Sequence, residues 1–264
     1  MGITAARHVV LIGLATLTLT GCGRQVARTS NGDADLLATG PDQLAIAAAR
    51  PEYTLAALES TGGVDKWLQC RRIDLQGVVS AYRSDGSYYV SEHAFVVYPW
   101  SKAIQISAHE PGSDYLWRLV GQRFRQAEGK TSVDISPLAG AYHDYASALL
   151  EIITAPVRMM DEGVQLTRRP LPVQMIGQAY TAIDAQFEGR NSYWTNATYF
   201  ANRQNSRVDV IWLANPSRQD YLIVRAYDYA PTACGVLVPS VAEIFRSDAE
   251  AHLGTRFATI RIVD

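Results

Sequence analysis

Histidines with neighbouring carboxylates are the residues of this chain most suited to acid–base or metal chemistry. Four of the five histidines lie beyond residue 90, at His93, His109, His143 and His252. Two of them stand directly before an acid, in His109-Glu110 and His143-Asp144. Neighbouring strand residues point to opposite faces and neighbouring helix residues diverge by about 100°, so adjacency forms no catalytic dyad. We predict that these are solvated polar side chains and form no metal site. The alternative is a weak metal site built from His109, Glu110, His143 and Asp144.

The sequence carries none of the short motifs that mark common active sites. It has no GxSxG elbow, no HExxH, no P-loop and no glycine-rich dinucleotide loop. A hydrolase assembled only by folding stays open as an alternative, and it requires a histidine within hydrogen-bond reach of a nucleophile in a cleft. We predict a protein that is not an enzyme and needs no cofactor.

Three cysteines offer covalent chemistry: Cys22, Cys70 and Cys234. They form no CxxC pair and show no Cys/His spacing typical of zinc. Cys70 precedes the first predicted strand and Cys234 precedes a late one. The sequence permits a disulfide between Cys70 and Cys234, and it equally permits two separate buried thiols.

The first cysteine ends a short apolar segment. Between Arg7 and Cys22 there is no charged residue apart from His8, which is neutral near pH 7. The apolar part, 9–19, is about half of the ~20 residues that a membrane-spanning helix needs. A basic start, an apolar middle and small residues before a cleavage point are typical of a secretory signal. The tetrad Leu-Thr-Gly-Cys at 19–22 resembles the bacterial lipobox.

The lipobox resemblance implies that the Cys22 thiol is diacylglycerated, that the chain is cut before it, and that the new amino terminus is acylated, with palmitate for example. Several acyl chains hold a domain on a membrane without a spanning helix. We therefore predict a signal peptide over 1–21 and a lipid-anchored, periplasm-facing protein, in a compartment where disulfides form. Gly23 rather than Asp after the cysteine favours the outer membrane over the inner one. An uncleaved anchor, or an ordinary cysteine after a chance apolar start, is the alternative.

The charge balance after cleavage is nearly neutral. Residues 22–264 number 243, with 23 basic and 26 acidic side chains. The basic pairs Arg71-Arg72 and Arg168-Arg169 are isolated, so no basic stripe for nucleic acid is visible. The length is within the range of a single all-β domain. We predict one domain over 42–264 and no nucleic-acid partner.

The pattern of the chain changes twice. Small polar residues over 22–41 predict a flexible tether after the lipidated cysteine. Two short helical stretches follow at 42–49 and 52–60, the second one after Pro51, and a further turn covers 64–69. Beyond residue 71 the period becomes two, which is typical of strands.

Two blocks of predicted strands flank one long helix. Turn residues separate the strands at intervals of roughly 8 to 12 residues, as in an antiparallel meander. The first block covers 72–83, 87–100, 103–110, 114–121, 123–129 and, weakly, 132–137. The helix covers 141–163, and Pro156 should break it near Thr154. The second block covers 172–177, 178–189, 192–202, 206–215, 220–230, 235–245 and 256–264.

This order predicts an α+β fold that is mostly antiparallel β. About 11–12 strands in one sheet should curve into an incomplete barrel, with the helix as a lid over one face. The lid and the facing strands supply the residues that we predict to line a ligand cavity: Tyr145, Leu149, Ile152, Ile153, Met159, Met160, Phe95, Val97, Ile104, Ile106, Trp194 and Trp212. The flexible methionines suit irregular apolar partners. Ordinary core packing is the alternative for each residue.

The chain also resembles a known family in the order of its parts. A lipobox and a tether precede short helices that run into "ALESTGGVDKW" at 57–67. After the strand blocks and the broken helix comes "YDYAPTACGVLVPSVAEIF" at 227–245. This order resembles the LolA/LolB-like superfamily of lipoprotein-carrier domains and their lipoprotein relatives. The resemblance implies a curved sheet with helices over an apolar cavity that takes acyl chains.

The sequence thus predicts a membrane-anchored lipoprotein that binds or carries a lipid or another amphipathic molecule. The predicted partners are the membrane, through the N-terminal anchor, and a lipid or acyl-chain ligand. The alternative is a non-catalytic envelope lipoprotein with a filled core, whose function lies in a protein partner. An enclosed apolar cavity under the helix would favour the first hypothesis, and a packed interior would favour the second.

Overall fold

A computed structural model describes residues 50–110, 113–128, 138, 141–188 and 192–263. The predicted signal peptide, Cys22, the tether, the helical stretch 42–49 and the strand 132–137 lie outside these residues. Predictions for those segments therefore stay predictions. None of the helices in the described ranges combines the length and the hydropathy needed to cross a bilayer.

Thirteen strands form a single antiparallel sheet. Their bounds are β1 Ile73–Tyr82, β2 Tyr88–Tyr98, β3 Ala103–Glu110, β4 Ser113–Val120, β5 Arg123–Glu128, β6 Val164–Arg168, β7 Val173–Met175, β8 Gln178–Phe187, β9 Asn196–Asn202, β10 Val208–Asn215, β11 Asp220–Pro231, β12 Leu237–Arg246 and β13 Arg256–Val263. The residues alternate as the sequence pattern predicts. In β1 the odd positions, such as Ile73 and Val79, are buried and the even positions are more exposed.

The sheet is open. Its strand order is β5-β4-β3-β2-β1-β13-β12-β11-β10-β9-β8-β6, and β7 pairs with β8 beyond the end of β6. Within the described residues β5 and β6 are the two edges and do not pair with each other. A closed barrel has no such edges, so the predicted incomplete barrel is confirmed.

Four α-helices and one 3₁₀ turn accompany the sheet in the described part of the chain. They are α1 Glu52–Ser60, α2 Val64–Gln69, α3 Tyr142–Ile153, α4 Ala155–Arg158 and the 3₁₀ turn Pro216–Arg218. Helix α3 contacts β3 and β4 on one side and β10, β11 and β12 on the other. Strands so far apart in the order reach one helix only because the sheet curves around it.

The long helix breaks where Pro156 predicts. Helix α3 ends at Ile153, and α4 begins at Ala155 with Pro156 in its first turn. Thr154 between them donates from Oγ1 to the Leu150 carbonyl at 2.6 Å. A proline has no N–H to donate, so a new helix start is the place where it is tolerated.

The N-terminal helices close one end of the core. Trp67 is fully buried and donates from Nε1 to Thr61 Oγ1 at 2.9 Å. The Leu237 amide donates to the Thr61 carbonyl at 2.8 Å, which ties the helices to the start of β12. Cys70 and Cys234 form a disulfide with their Cα atoms 5.6 Å apart. Of the two interpretations that the sequence left open, the structure has the disulfide.

The structure confirms the fold class, with 13 strands in place of about 11–12. One strand, β6, was missed, although it follows the predicted helix directly. Its sequence, Val-Gln-Leu-Thr-Arg, has only five residues, of which Val164 and Leu166 are apolar. Two apolar positions are too few to establish the alternation of a strand, and only Val164 is buried.

Candidate functional site

The lid, defined as residues 142–160, covers one face of the curved sheet with a broad apolar surface. Nine consecutive residues of α3, 145–153, are buried. So are all four residues of α4 and the two methionines after it, Met159 and Met160. An amphipathic surface helix buries only a stripe of its residues, so the lid is enclosed on more than one side.

Eleven of the twelve residues predicted for a ligand cavity lie in one cluster between lid and sheet. The lid supplies six of them and the sheet side supplies five. They are Tyr145, Leu149, Ile152, Ile153, Met159, Met160, Phe95, Val97, Ile104, Ile106 and Trp194. Phe95 and Val97 on β2 are direct cross-strand neighbours of Ile106 and Ile104 on β3, which makes a continuous apolar patch.

Trp212 lies apart from the other eleven. In β10 its neighbours Ile211 and Leu213 belong to the cluster under the lid, and Trp212 packs against a second cluster instead. Successive strand residues point to opposite faces, so Trp212 is on the outer face of the sheet. There its Nε1 donates to the Asp248 carbonyl at 3.2 Å.

The interface between lid and sheet is packed. Each of the eleven clustered residues is at most 3% exposed. An enclosed cavity large enough for an acyl chain would leave its lining residues accessible to a water-sized sphere. Among these eleven side chains the space is therefore filled, and a ligand would have to replace contacts that the lid now makes.

Two indole N–H groups in this packed region have no acceptor among the described residues. They belong to Trp117 on β4 and to Trp194, and both rings are 1% exposed. The Trp117 ring stacks against Tyr142 of the lid at 4.3 Å between centroids. A buried donor without a partner is uncommon in native proteins. A ligand with a hydrogen-bond acceptor would therefore gain most binding free energy by placing that atom next to one of these two N–H groups.

A histidine links the lid to the sheet. His93 on β2 is buried, and its Nδ1 is 3.0 Å from the Tyr145 hydroxyl of the lid. Its Nε2 is 2.9 Å from Ser91 Oγ, two residues away on the same face of β2. A neutral imidazole donates from one nitrogen and accepts at the other, and both hydroxyls can do either. Both ring nitrogens are therefore satisfied, whichever tautomer is present.

The Ser91–His93 pair meets the distance requirement of a hydrolase but not its other requirements. Burial lowers the pKa of His93 from 6.5 to about 3. So low a pKa makes the imidazole a weak base near neutral pH. Ser91 and His93 are also buried rather than open to a cleft. The geometry makes this pair a structural bridge to the lid.

Four ionised side chains lie together at the second half of the lid. The Arg158 guanidinium donates to both oxygens of Glu151, at 3.0–3.1 Å, and also to Asp161. Lys102 Nζ, at the start of β3, is 3.3 Å from Asp161. Burial disfavours the charged guanidinium, but the carboxylates of Asp161 and Glu151 outweigh it and raise the pKa of Arg158. Burial raises the pKa of Asp161, more than Arg158 and Lys102 lower it. We call these four residues, two basic and two acidic, the ion cluster.

A third polar contact fixes the start of the lid. Asp144 accepts from Arg246 Nη1 of β12 at 2.7 Å. His143 points elsewhere, and its ring lies 4.0 Å from that of Tyr193. Burial lowers the pKa of His143, more than the nearby Asp144 raises it. The prediction that His143 and Asp144 diverge agrees with these contacts.

The metal-site alternative gains no support from the described side chains. Those of His109 and Glu110 lie outside the description, so the four-residue alternative is untested there. A different group, Asp248, Glu250 and His252, has ligand atoms within 4.8 Å of one another on an exposed loop. The spacing Asp-x-Glu-x-His was the signal that sequence reasoning overlooked. Exposed acidic groups of this kind are common without an ion, and this one holds together through its own hydrogen bonds.

Comparisons with known proteins find similar chains only among solved structures. No family model and no curated protein matches the chain. The chain is similar to a LolA superfamily protein from Nitrosomonas europaea. The TM-score is 0.48 and the identity 8%, over 80% of this chain and 90% of the other.

Two further solved structures are similar at the same level. A DUF1329 family protein from Desulfovibrio piger has a TM-score of 0.46 and 10% identity, over 80% of this chain and 90% of the other. A putative outer membrane lipoprotein-sorting protein domain from Vibrio parahaemolyticus has a TM-score of 0.40 and 9% identity, over 73% and 83%.

Proposed function

We propose that this protein is a lipid-anchored envelope protein that takes up the acyl chain of a lipid or another amphipathic molecule between the lid and the curved sheet. The observation that carries the proposal is the lid itself. A broad apolar helix lies across the inner face of an open sheet, and none of the described strands covers that face. The lipobox and the order of elements in the sequence support the envelope location and the lipid anchor.

Uptake requires the lid to move, because its contacts with the sheet are packed. The polar contacts that hold the described lid include Asp144 with Arg246, Tyr145 with His93, and the ion cluster around Arg158. The first is partly exposed, since the Arg246 side chain is 39% accessible. Exposed ion pairs contribute only about 0–1 kcal/mol. The start of α3 is therefore the end of the lid that opens most readily.

Met159 and Met160 suit the replacement of protein contacts by acyl-chain contacts. A methionine side chain is unbranched and adapts to irregular apolar neighbours. Binding free energy would come from apolar burial, roughly 25 cal/mol per Å². The orphan indole N–H of Trp117 supplies a donor for a carboxyl or ester oxygen at the polar end of the ligand.

The direct test uses the Cys22→Ser chain, which would be secreted without covalent acyl chains. Native mass spectrometry and organic extraction should find a co-purified lipid, and a hydrophobic fluorescent probe should bind. Absence of both would overturn the proposal. Arg246→Gln should speed probe uptake by freeing the start of α3. The matched control is Arg169→Gln, which breaks a similar 2.8 Å pair with Asp184 far from the lid and should leave the rate unchanged.

The polar end of the ligand has its own test. Trp117→Phe keeps a ring in the core but removes the indole donor, so palmitate affinity should fall roughly 2- to 10-fold, the worth of one hydrogen bond. Trp212→Phe, on the outer face, is the control and should leave palmitate affinity unchanged. If both variants bind palmitate as tightly as the wild type, Trp117 does not donate a hydrogen bond to the ligand.

A second candidate is favoured by one observation, the filled interface. If the lid never opens, the protein is a structural envelope lipoprotein whose function lies in a protein partner. Hydrogen exchange separates the two candidates. Amides of α3 that exchange many times faster than those of the central strands support an opening lid, whereas equal protection supports the filled core.

A further inference from the structure

A recess lies on the outer face of the sheet, opposite the lid. It is an open depression of about 610 Å³ over strands β1, β2 and β11–β13. Its lining combines tyrosine rings, arginines and hydroxyl groups. A volume between about 300 and 1,000 Å³ is typical of sites for small ligands.

Two tyrosine rings form one wall of this recess. Tyr82 at the end of β1 and Tyr88 at the start of β2 have ring centroids 5.7 Å apart with planes tilted by 45°. Tyr88 is 61% exposed, and no other aromatic residue is among the exposed large hydrophobic residues of the described chain. An aromatic ring held by a neighbour and open on its other side is a surface for a flat apolar face of a ligand.

Two arginines and two acids line the recess, Arg256, Arg261, Glu243 and Asp228. With Arg225, which pairs with Glu243, three basic side chains face two acidic ones, so one cation is in excess. Glu243 on β12 is paired with Arg256 at 3.4 Å and with Arg225 at 3.8 Å, and it accepts from the Tyr227 hydroxyl at 2.9 Å. Glu243 is therefore already saturated, and its role is to orient the two arginines. Arg261 on β13 is exposed and lies between Val78 and Val241 in the strand register, so its direct cross-strand neighbours are apolar.

Arg256 and the tyrosine wall are joined. The Arg256 guanidinium lies 5.3 Å from the centroid of the Tyr82 ring, while Glu243 holds its other side. Ser80 and Thr259, direct cross-strand neighbours, place two hydroxyls on the floor of the recess near these groups. An apolar ring surface, hydroxyls and a guanidinium therefore face one volume.

We propose that this recess binds an acidic saccharide. The C–H face of a pyranose ring would pack on Tyr88, its hydroxyls would exchange hydrogen bonds with Ser80 and Thr259, and its carboxylate would pair with Arg261 and Arg256. Arginine matches a carboxylate with two parallel N–H donors. This site is on the opposite face from the acyl-chain site and does not depend on it.

The test measures binding of tri-galacturonate to the full chain by isothermal titration calorimetry, with uncharged maltotriose for comparison. We expect tri-galacturonate to bind at least tenfold more tightly than maltotriose. Tyr88→Ala and Arg261→Ala should each lower its affinity at least tenfold; both side chains are exposed, so the fold should survive. Arg203→Ala, in the exposed turn after β9, is the matched control and should bind like the wild type.

Three outcomes would overturn the proposal. They are no binding of either sugar at millimolar concentration, equal binding by the two variants and the wild type, and equal binding of the two sugars. Inorganic phosphate is the third ligand of the test and adds a fourth such outcome. If phosphate alone binds as tightly as tri-galacturonate and only Arg261→Ala matters, the recess is an anion site and the saccharide assignment is wrong. Probe uptake under the lid is measured separately, so failure here leaves the acyl-chain proposal untouched.

Discussion

Tyr145 of the lid and His93 of β2 are 3.0 Å apart at Oη and Nδ1, deep in the core. Their rings meet edge to face, with centroids 5.6 Å apart and planes at 88°. This contact joins the middle of α3 to the sheet through a polar bond inside apolar surroundings. Its loss would leave a buried imidazole nitrogen with no partner.

Tyr145→Phe should therefore lower the free energy of unfolding by about 1–2 kcal/mol, because an unpaired buried polar group is costly. Urea denaturation followed by circular dichroism measures the change. Tyr88→Phe is the control, because its hydroxyl is on an exposed ring, and should stay within about 0.5 kcal/mol of the wild type. A Tyr145→Phe chain as stable as the control would show that the contact contributes nothing.

Acid should destabilise the protein through His93. Its pKa is about 3 in the fold and 6.5 ordinarily, so below pH 6.5 the unfolded chain binds a proton that the folded chain does not. Stability is then fully present above pH 6.5 and falls as the pH drops toward 3, by up to about 1.4 kcal/mol per pH unit from this group. His93→Gln should remove that part of the slope between pH 6 and pH 4. The prediction is contradicted if His93→Gln and the wild type have the same slope; His252→Gln, which is exposed, should keep it.

The sign of the effect is specific to a buried neutral histidine. His252 has the opposite shift, because its hydrogen bond to Asp248 raises its pKa. Stability from that contact is present at low pH and is lost as the pH rises. The stability contributions of His93 and His252 therefore change in opposite directions as the pH rises, although both histidines have the same ordinary pKa of 6.5.

The ion cluster of the lid should be strongly non-additive. Arg158→Met leaves the Glu151 and Asp161 carboxylates buried without their guanidinium, and removing one partner of a buried ion pair costs about 3–5 kcal/mol. Adding Glu151→Gln removes one of the stranded charges and should restore part of the loss. A double-mutant cycle in urea tests this. Simple additivity of the two changes would show that the pair is not coupled.

The disulfide should stabilise the fold by closing a long loop. Cys70 and Cys234 are 164 residues apart. Replacing both by serine should lower the free energy of unfolding by about 2–5 kcal/mol. A loss below about 0.5 kcal/mol would contradict this. A thiol count on the unfolded chain, with and without reductant, verifies that the bond is formed.

One turn should gain stability from substitution. Ile176 has a φ of 53° at the tip of the β7–β8 hairpin and is 62% exposed. The left-handed region costs a residue with a Cβ roughly 1–2 kcal/mol, and glycine avoids that cost. Ile176→Gly should therefore raise the free energy of unfolding by about 1 kcal/mol. Leu171→Gly, at a similarly exposed position without a positive φ, should not raise it.

Local signals in the sequence were sufficient for most of the fold. Period-two alternation located the strands, and Pro156 located the break between α3 and α4. Strand β6 was missed because five residues with two apolar side chains are too short to establish the alternation. Trp212 was grouped with the lid residues because composition does not tell which face a strand residue takes; the register of β10 does.

The candidate site was only partly visible because its polar members are distant in sequence. Tyr145 and His93 are 52 positions apart, and Arg246 and Asp144 are 102 positions apart. No spacing rule connects such residues until the sheet has curved around the helix. Ser91 and His93, by contrast, share a strand face at a spacing of two, and that pattern was available to inspection.

The Cys70–Cys234 bond also determines how a mechanical load would travel through the molecule. Residue 70 lies between the N-terminal helices and β1, and residue 234 lies in the turn between β11 and β12. A pull on the N-terminal side of the chain would therefore reach the sheet at two separate strands at once. Tension would be shared across the middle of the sheet, so β1 would not be peeled from β2 one hydrogen bond at a time.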